Sequence, residues 1–394
     1  MQRIGIYGGS FNPPHLGHIR AAEYAAGALG LDKLWFIPSA QTPGKTAVQA
    51  MASGQQRLEM LRLAIAGEEK LEVSPVELRR GGESYTWETV EAVLEENPGA
   101  QLYLLLGTDM FLKFPQWKDA RKIAQAVTLV ALRRGDKHEQ ADRQEGMEKI
   151  QAMGGKVILL ENPVVAISSS QVRRLLAFEG AGSFLSTAVL DYIRREKLYY
   201  VGWDLKDLPM EQLEQVVISL LKPSRVAHVL GCRDTAVELA KIWGVDPVDA
   251  GRAGILHDIT KALDGPLQLT LCDAYGKLLD DFSRKYPKTL HALTGSLVAQ
   301  RIFGENSRVV SAIESHTTGK ADMNLLETII YVADYMEPNR DFPGVENLRS
   351  LAYTDIRGAL ELGLIQTLEH LKDLGEEVSP ASREALAYLQ NHPH

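Results

Sequence analysis

Hydrophobic positions along this chain follow two regimes. Up to about residue 200, short apolar runs alternate with stretches whose apolar residues recur every three or four positions. Arg3–Tyr7, Lys33–Ile37, Leu71–Val73, Gln101–Gly107, Ala126–Leu132 and Lys156–Leu160 read as strands. Helices are expected over about His15–Leu29, Gln55–Ala66, Trp87–Glu96, Gln171–Ala177 and Leu185–Leu198, with a polar helical stretch between the last two strands. Strands and helices alternating at this spacing predict an α/β doubly wound parallel sheet. Gly202 and Pro209 break the pattern, so 201–210 is expected to be a linker. From 211 to 394 helix follows helix, rich in Ala, Leu, Glu and Lys, which predicts an all-α bundle.

Composition narrows the class. A chain of 394 residues exceeds one ordinary core, and 45% hydrophobic with 24% charged residues suits folded domains. A net charge of −8 argues against a general nucleic-acid binder. The two cysteines, Cys232 and Cys272, stand far apart and in no C-x-x-C pair, which argues against a disulfide framework or a zinc-cysteine site. No apolar run has transmembrane length and Met1 leads directly into a strand, so a cytoplasmic protein without a membrane partner is expected. A homo-oligomer stays open.

The densest chemistry of the first half is Tyr7-Gly-Gly-Ser-Phe-Asn-Pro-Pro-His-Leu-Gly-His18. A strand, a turn at Gly8 and Gly9, and a helix starting near His15 would bring free backbone N–H groups and a helix N-terminus to the carboxyl end of the first strand, where phosphate is held. His15 and His18, three apart, would both face that anion. It is not a dinucleotide fingerprint, and Gly44-Lys45-Thr46 ends like a phosphate loop whose leading glycine would fall at Ser39. A second anion site is expected at Ser168, Ser169 and Ser170, which open a helix carrying Arg173 and Arg174. Ser or Thr of Ser84-Tyr85-Thr86 is expected to cap the helix that follows.

In the second half, His228, His257-Asp258, His291, His316 and Asp334 lie in or at the ends of expected helices. Imidazole with carboxylate and no thiolate favours Fe, Mn or Zn over Ca or Mg.

The glycine-histidine stretch resembles the (T/H)xGH signature of the nucleotidylyltransferases, and within them the bacterial nicotinate mononucleotide adenylyltransferases. Gly107-Thr-Asp109-Met, Phe114-Pro-Gln-Trp117, Ser84-Tyr85-Thr86 and Ile167-Ser-Ser-Ser-x-x-Arg173 resemble further segments of that family, over residues 1 to about 200. The chain departs from it with Asn12 in place of an Asp and Gly44 in place of a His. The resemblance implies a Rossmann-like domain that transfers AMP from Mg²⁺-ATP to nicotinate mononucleotide. Gly8, Gly9, Ser10, Asn12, Gly107, Asp109 and Ser168 to Ser170 would bind nucleotide, Tyr85, Thr86 and Trp117 the pyridine, and His15, His18, Lys45 and Arg173 the reacting phosphates. The order H…HD…H…H…D resembles the HD-domain phosphohydrolases. Ser315-His-Thr-Thr-Gly319 and Ile330–Arg340 resemble those that split diadenosine tetraphosphate into two ADP. That resemblance implies two ions, iron or manganese: one on His228, His257 and Asp334, another on His291 and His316, with Asp258 bridging. Lys261 and Arg340 would hold the polyphosphate. The alternatives are another phosphorylated acceptor for the first half and a non-catalytic nucleotide-sensing or partner-binding HD module for the second.

Overall fold

The computed structural model describes residues 1–40, 51–135 and 139–392. The chain divides into two compact units, Met1–Gly202 and Trp203–His394. In the first unit, strands β1 (Arg3–Gly9), β2 (Lys33–Pro38), β3 (Leu71–Val73), β4 (Gln101–Gly107), β5 (Thr128–Leu132) and β6 (Lys156–Leu160) pair in the order β3-β2-β1-β4-β5-β6. All pairings are parallel. The helices are α1 (Leu16–Ala28), α2 (Gly54–Ala64), α3 (Val76–Arg80), α4 (Thr86–Glu96), α5 (Thr108–Lys113), α6 (Ala120–Ala126), α7 (Glu139–Ala152), α8 (Ser169–Ala177) and α9 (Thr187–Arg195).

The period-two pattern of each strand feeds two cores, one per sheet face. Tyr103 and Leu105 of β4 join Tyr7, Phe36, Val130 and the alanines of α1. Leu102, Leu104 and Leu106 face the other way, onto Ile4, Ile6, Val90 and Ile123. Covered on both faces, the sheet needs near-continuous apolar strands, which is why they stood out. Strand order reverses between β1 and β4, so a crevice opens beyond their carboxyl ends.

Some expected local features differ. Ala126 ends α6, and β5 begins at Thr128. The short helices α3, α5 and α6 carry no long amphipathic repeat, and burial of Phe111 and Ile123 holds α5 and α6. Gly8 and Gly9 stay in β1, paired with Ile37 and Pro38, and the turn falls at Phe11 with φ 45°. Gly9 is needed for space: a Cβ there would lie 3.1 Å from the Phe11 ring. The cap of α4 is Tyr85, without a side-chain bond. Ser84 Oγ instead accepts the Ala40 N–H at 3.0 Å.

The second unit is helical throughout its described residues: α10 (Met210–Leu220), α11 (Pro223–Trp243), α12 (Pro247–Leu256), α13 (Gly265–Ala274), α14 (Asp281–Lys285), α15 (Leu290–Arg301), α16 (Ser307–Ser315), α17 (Leu325–Met336), α18 (Val345–Ala352), α19 (Ile356–Asp373) and α20 (Pro380–Asn391). Side-chain caps start several of them, Asp246 on α12, Asp264 on α13, Asn306 on α16 and Asn324 on α17. Close packing of α12 on α11 depends on Gly254, where a Cβ would meet Arg233 Cα at 2.8 Å. Gly254 sits one turn before His257, so the close crossing brings that imidazole to α11. No described helix is long and apolar enough to cross a membrane.

Candidate active sites

At the carboxyl end of β1, His15 is the N-cap of α1 and His18 lies in its first turn. The His15 N–H donates to His18 Nδ1 at 3.2 Å, and the two rings lie 3.7 Å apart, tilted by 33°. Phe11 packs edge-on to His18 at 5.1 Å. His15 Nδ1 is buried without a hydrogen-bond partner among the described residues. Burial, with the Arg134 guanidinium, lowers the His15 pKa to about 3, and burial with His15 and Arg134 holds His18 well below its usual value. Both rings are therefore neutral at pH 7.

The Ser10–Pro13 turn is pinned from three sides. Arg57 Nη1 donates to the Ser10 carbonyl at 2.8 Å, and its Nη2 to that of Ser39 at 2.7 Å. Arg173 donates to the Asn12 carbonyl at 2.6 Å and to Ser170 Oγ at 3.0 Å. Ser169 Oγ donates to the Pro13 carbonyl at 2.9 Å, while the Tyr199 hydroxyl donates to Asn12 Oδ1. Ser168 caps α8 in a reciprocal box with Gln171. Arg173 and the serine run thus support the turn beside the histidines.

Across the crevice, Gly107 ends β4 and Asp109 lies in the first turn of α5. Arg134, just beyond β5, donates to Asp109 Oδ2 at 2.7 Å. Its Nε would lie 2.7 Å from a Cβ at Gly107, so the glycine makes room for the guanidinium. Buried Glu139 receives the N–H groups of Arg134 and Gly135 and the Thr108 hydroxyl, tying the ends of β4 and β5 together. Trp117 is half-buried against Phe114, with centroids 5.4 Å apart. The next residue, Lys118, places Nζ 4.1 Å from the centre of the Tyr85 ring, and Thr86 opens α4 beside it. Lys45, with Gly44, lies outside the described residues. Arg57 and Arg134 escaped sequence reasoning because a lone arginine has no motif; the Gly-Thr-Asp segment marked only the position that Arg134 approaches.

In the helical unit the six expected residues converge from α11, the end of α12, α15, the end of α16 and α17. His228 Nε2 lies 3.3 Å from His257 Nε2 and 3.1 Å from Asp334 Oδ1. Asp258 Oδ2 faces this pair, 3.6 Å from His228 and 3.5 Å from His257. Its Oδ1 faces the other pair, 3.5 Å from His291 Nε2 and 3.7 Å from His316 Nε2. Two overlapping trios have donor atoms close enough to share an ion: His228 with His257 and Asp334, and His257 with Asp258 and His316. The first trio is the set expected for one ion, and in the second His257 joins Asp258 and His316.

Every Nδ1 in the cluster is engaged, so every Nε2 points inward. Three rest on carbonyls one turn back, His257 on Gly254 at 2.8 Å, His291 on Lys288 at 2.9 Å and His316 on Ile313 at 2.6 Å. His228 Nδ1 meets Glu337 Oε1 at 3.0 Å. Asp258 is 1% exposed, and its Oδ1 is buried with no hydrogen-bond donor among the described residues. Burial opposes ionisation of Asp258 and Asp334, yet the surrounding imidazoles hold both carboxyls well below the usual range. Inward Nε2 atoms, which a bound ion would meet in place of their protons, ionised carboxylates and an orphaned oxygen fit a transition-metal ion. Three cations ring the cluster: Arg225 Nε donates to Asp258 Oδ2 at 2.6 Å, Arg340 Nη2 to Asp334 Oδ1 at 2.6 Å, and Lys261 Nζ lies 2.8 Å from His291 Nε2. Of these, Arg225 was missed from sequence.

A parallel sheet with a histidine-bearing turn at its switch point, followed by a helical cluster of histidines and aspartates, is the arrangement of a nucleotide-binding α/β unit joined to a helical unit with a candidate metal site. The cytidylyltransferase-like family matches residues 6–175, and the HD domain matches residues 225–339. The "Probable nicotinate-nucleotide adenylyltransferase" of Listeria monocytogenes serotype 4b (strain F2365) is 34% identical, over 50% of this chain and 97% of its own length. Its namesake from Gemmatimonas aurantiaca is 40% identical, over 50% of this chain and 92% of its own. A solved "predicted HD superfamily hydrolase involved in NAD metabolism" from Clostridium acetobutylicum is 37% identical, with a TM-score of 0.46, and covers 47% of this chain and 98% of its own. In its first half, therefore, the chain belongs to the nicotinate-nucleotide adenylyltransferases, and its second half contains an HD domain. It is an enzyme.

Proposed function

We propose a bifunctional enzyme that makes nicotinate adenine dinucleotide at the first site and splits diadenosine tetraphosphate symmetrically at the second. For the transferase, support comes from a relative matched over 50% of this chain and 97% of its own length, and from the neutral, close-set His15/His18 pair at the switch point. The 5′-phosphate of nicotinate mononucleotide attacks the α-phosphorus of ATP, one P–O bond forms, and pyrophosphate leaves with the electron pair of the bond that breaks. The attacking phosphate needs no base, so the site's work is alignment and charge stabilisation. ATP would enter as its Mg²⁺ complex. His15 and His18 would hydrogen-bond the phosphoryl oxygens, with Lys45 and Arg134 adding positive charge. Arg173 and Arg57 keep the turn rigid, Asp109 would hold ribose hydroxyls, and Trp117 would stack on the pyridine beside Tyr85 and Thr86.

For the hydrolase, one observation carries the reading: Asp258 turns one carboxylate oxygen to each pair of imidazoles. His228, His257 and Asp334 would hold one ion, His291 and His316 another, and Asp258 both; iron or manganese suits these donors. Such ions supply Lewis acidity and an activated water. Arg225, Lys261 and Arg340, now paired with the ligand residues, would turn to the polyphosphate, and water would add across its central P–O–P linkage to give two ADP. The test is the full chain assayed with ATP plus nicotinate mononucleotide for pyrophosphate, and with diadenosine tetraphosphate for ADP. Equal use of nicotinamide mononucleotide would overturn the acceptor, and hydrolysis undiminished in Asp258→Ala would overturn the second reading.

A further inference from the structure

Among the described residues, a carboxylate backs one of the four imidazoles of the cluster, that of His228. Glu337 is 1% exposed, and it lies three residues beyond Asp334, past the end of α17. One oxygen accepts the His228 Nδ1–H at 3.0 Å; the other accepts both the N–H and the side-chain amide of Asn339, each at 2.8 Å. The same Asn339 amide donates to the Ala227 carbonyl at 3.1 Å, next to His228 in the chain. The carboxylate is therefore fixed at both oxygens. Room for it exists only because position 231, one turn after His228, is glycine: a Cβ there would stand 2.3 Å from Glu337 Oε2.

We infer that Glu337 is a positioning residue that locks His228 with its Nε2 lone pair inward and makes the trio of His228, His257 and Asp334 the tighter of two unequal metal positions. A carboxylate behind a ligating imidazole fixes its tautomer and strengthens it as a donor, whereas a backbone carbonyl carries no charge to add. The inference rests on the metal-binding reading of the cluster.

Titration of the metal-stripped full chain with Mn²⁺ alone tests it, with circular dichroism and melting temperature followed beside it. The expected result is two ions bound with unequal affinity. Glu337→Gln should weaken the tighter step about 10- to 100-fold, leave the weaker one in place, and keep helix content and melting temperature. Gly231→Ala should act in the same way, by displacing the carboxylate, and the double variant should lose no more than the larger single effect. Unchanged Mn²⁺ binding in both single variants, or equal weakening of both steps, would overturn the inference while leaving the metal reading intact. A wild-type chain that takes up no Mn²⁺ would overturn both.

Discussion

His15 and His18 come from a single turn of chain, lie with ring centres 3.7 Å apart and are kept uncharged by burial and a nearby arginine. In the helical unit four imidazoles arrive from separate helices, and an ionised carboxylate stands among them. One arrangement presents neutral hydrogen-bonding rings and cations to an anion that must come and go. The other concentrates lone pairs and negative charge, which suits a cation that stays. The same side chain is thus set to opposite electrostatic tasks by what surrounds it.

The strongest way to break this contrast is Asp258→Ala. Because it faces all four imidazoles, its removal should cost hydrolysis more than the about 10²- to 10³-fold typical of one electrostatic donor, and should deplete bound metal. Adenylyl transfer by the same sample should not change; parallel loss of both activities would mean that the sites are not independent. His18→Ala is the mirror experiment, with adenylyl transfer expected to fall about 10²-fold and ADP release from diadenosine tetraphosphate to hold.

Acid sharpens the difference. The folded pKa of His15, about 3, lies below the unfolded value of 6.5, so the unfolded chain takes up its proton first. That contribution is complete above pH 6.5 and drains away between pH 6.5 and 3, by up to about 1.4 kcal/mol per pH unit. Chemical denaturation at stepped pH, read through probes in each unit, checks it; a first unit equally stable at pH 7 and pH 4 would contradict it. The smallest effect should come from Gly107→Ala. Its Cβ would press on the flexible end of Arg134, so the KM for ATP or the mononucleotide should rise by only a few-fold, on the order of 1 kcal/mol or less.

The strands were legible because a sheet buried on both faces demands apolar residues at nearly every position, and the His-turn and His-Asp doublet because their spacing is local. The structure sets His15 and His18 in one turn of chain held by Ser169 and Arg173, and gathers His228, His257, Asp258, His291, His316 and Asp334 in the helical unit, with Lys45 outside the described residues. Less was visible where packing chooses. α5 and α6 form because Phe111 and Ile123 must be buried, and the turn expected at Gly8 and Gly9 fell at Phe11 because those glycines still pair with β2.

Residue order alone determined that a parallel α/β layer precedes a helical bundle, and where the chemistry-bearing histidines fall along each. Only the folded chain decided that Arg57 and Arg134 join the first cluster, that Arg225 and Glu337 join the second, and that Asp258 divides its two oxygens between imidazole pairs. Periodicity records which face of an element is buried. Which distant side chains share that burial, and so set each other's charge, depends on helix crossings and strand ends that no local pattern encodes.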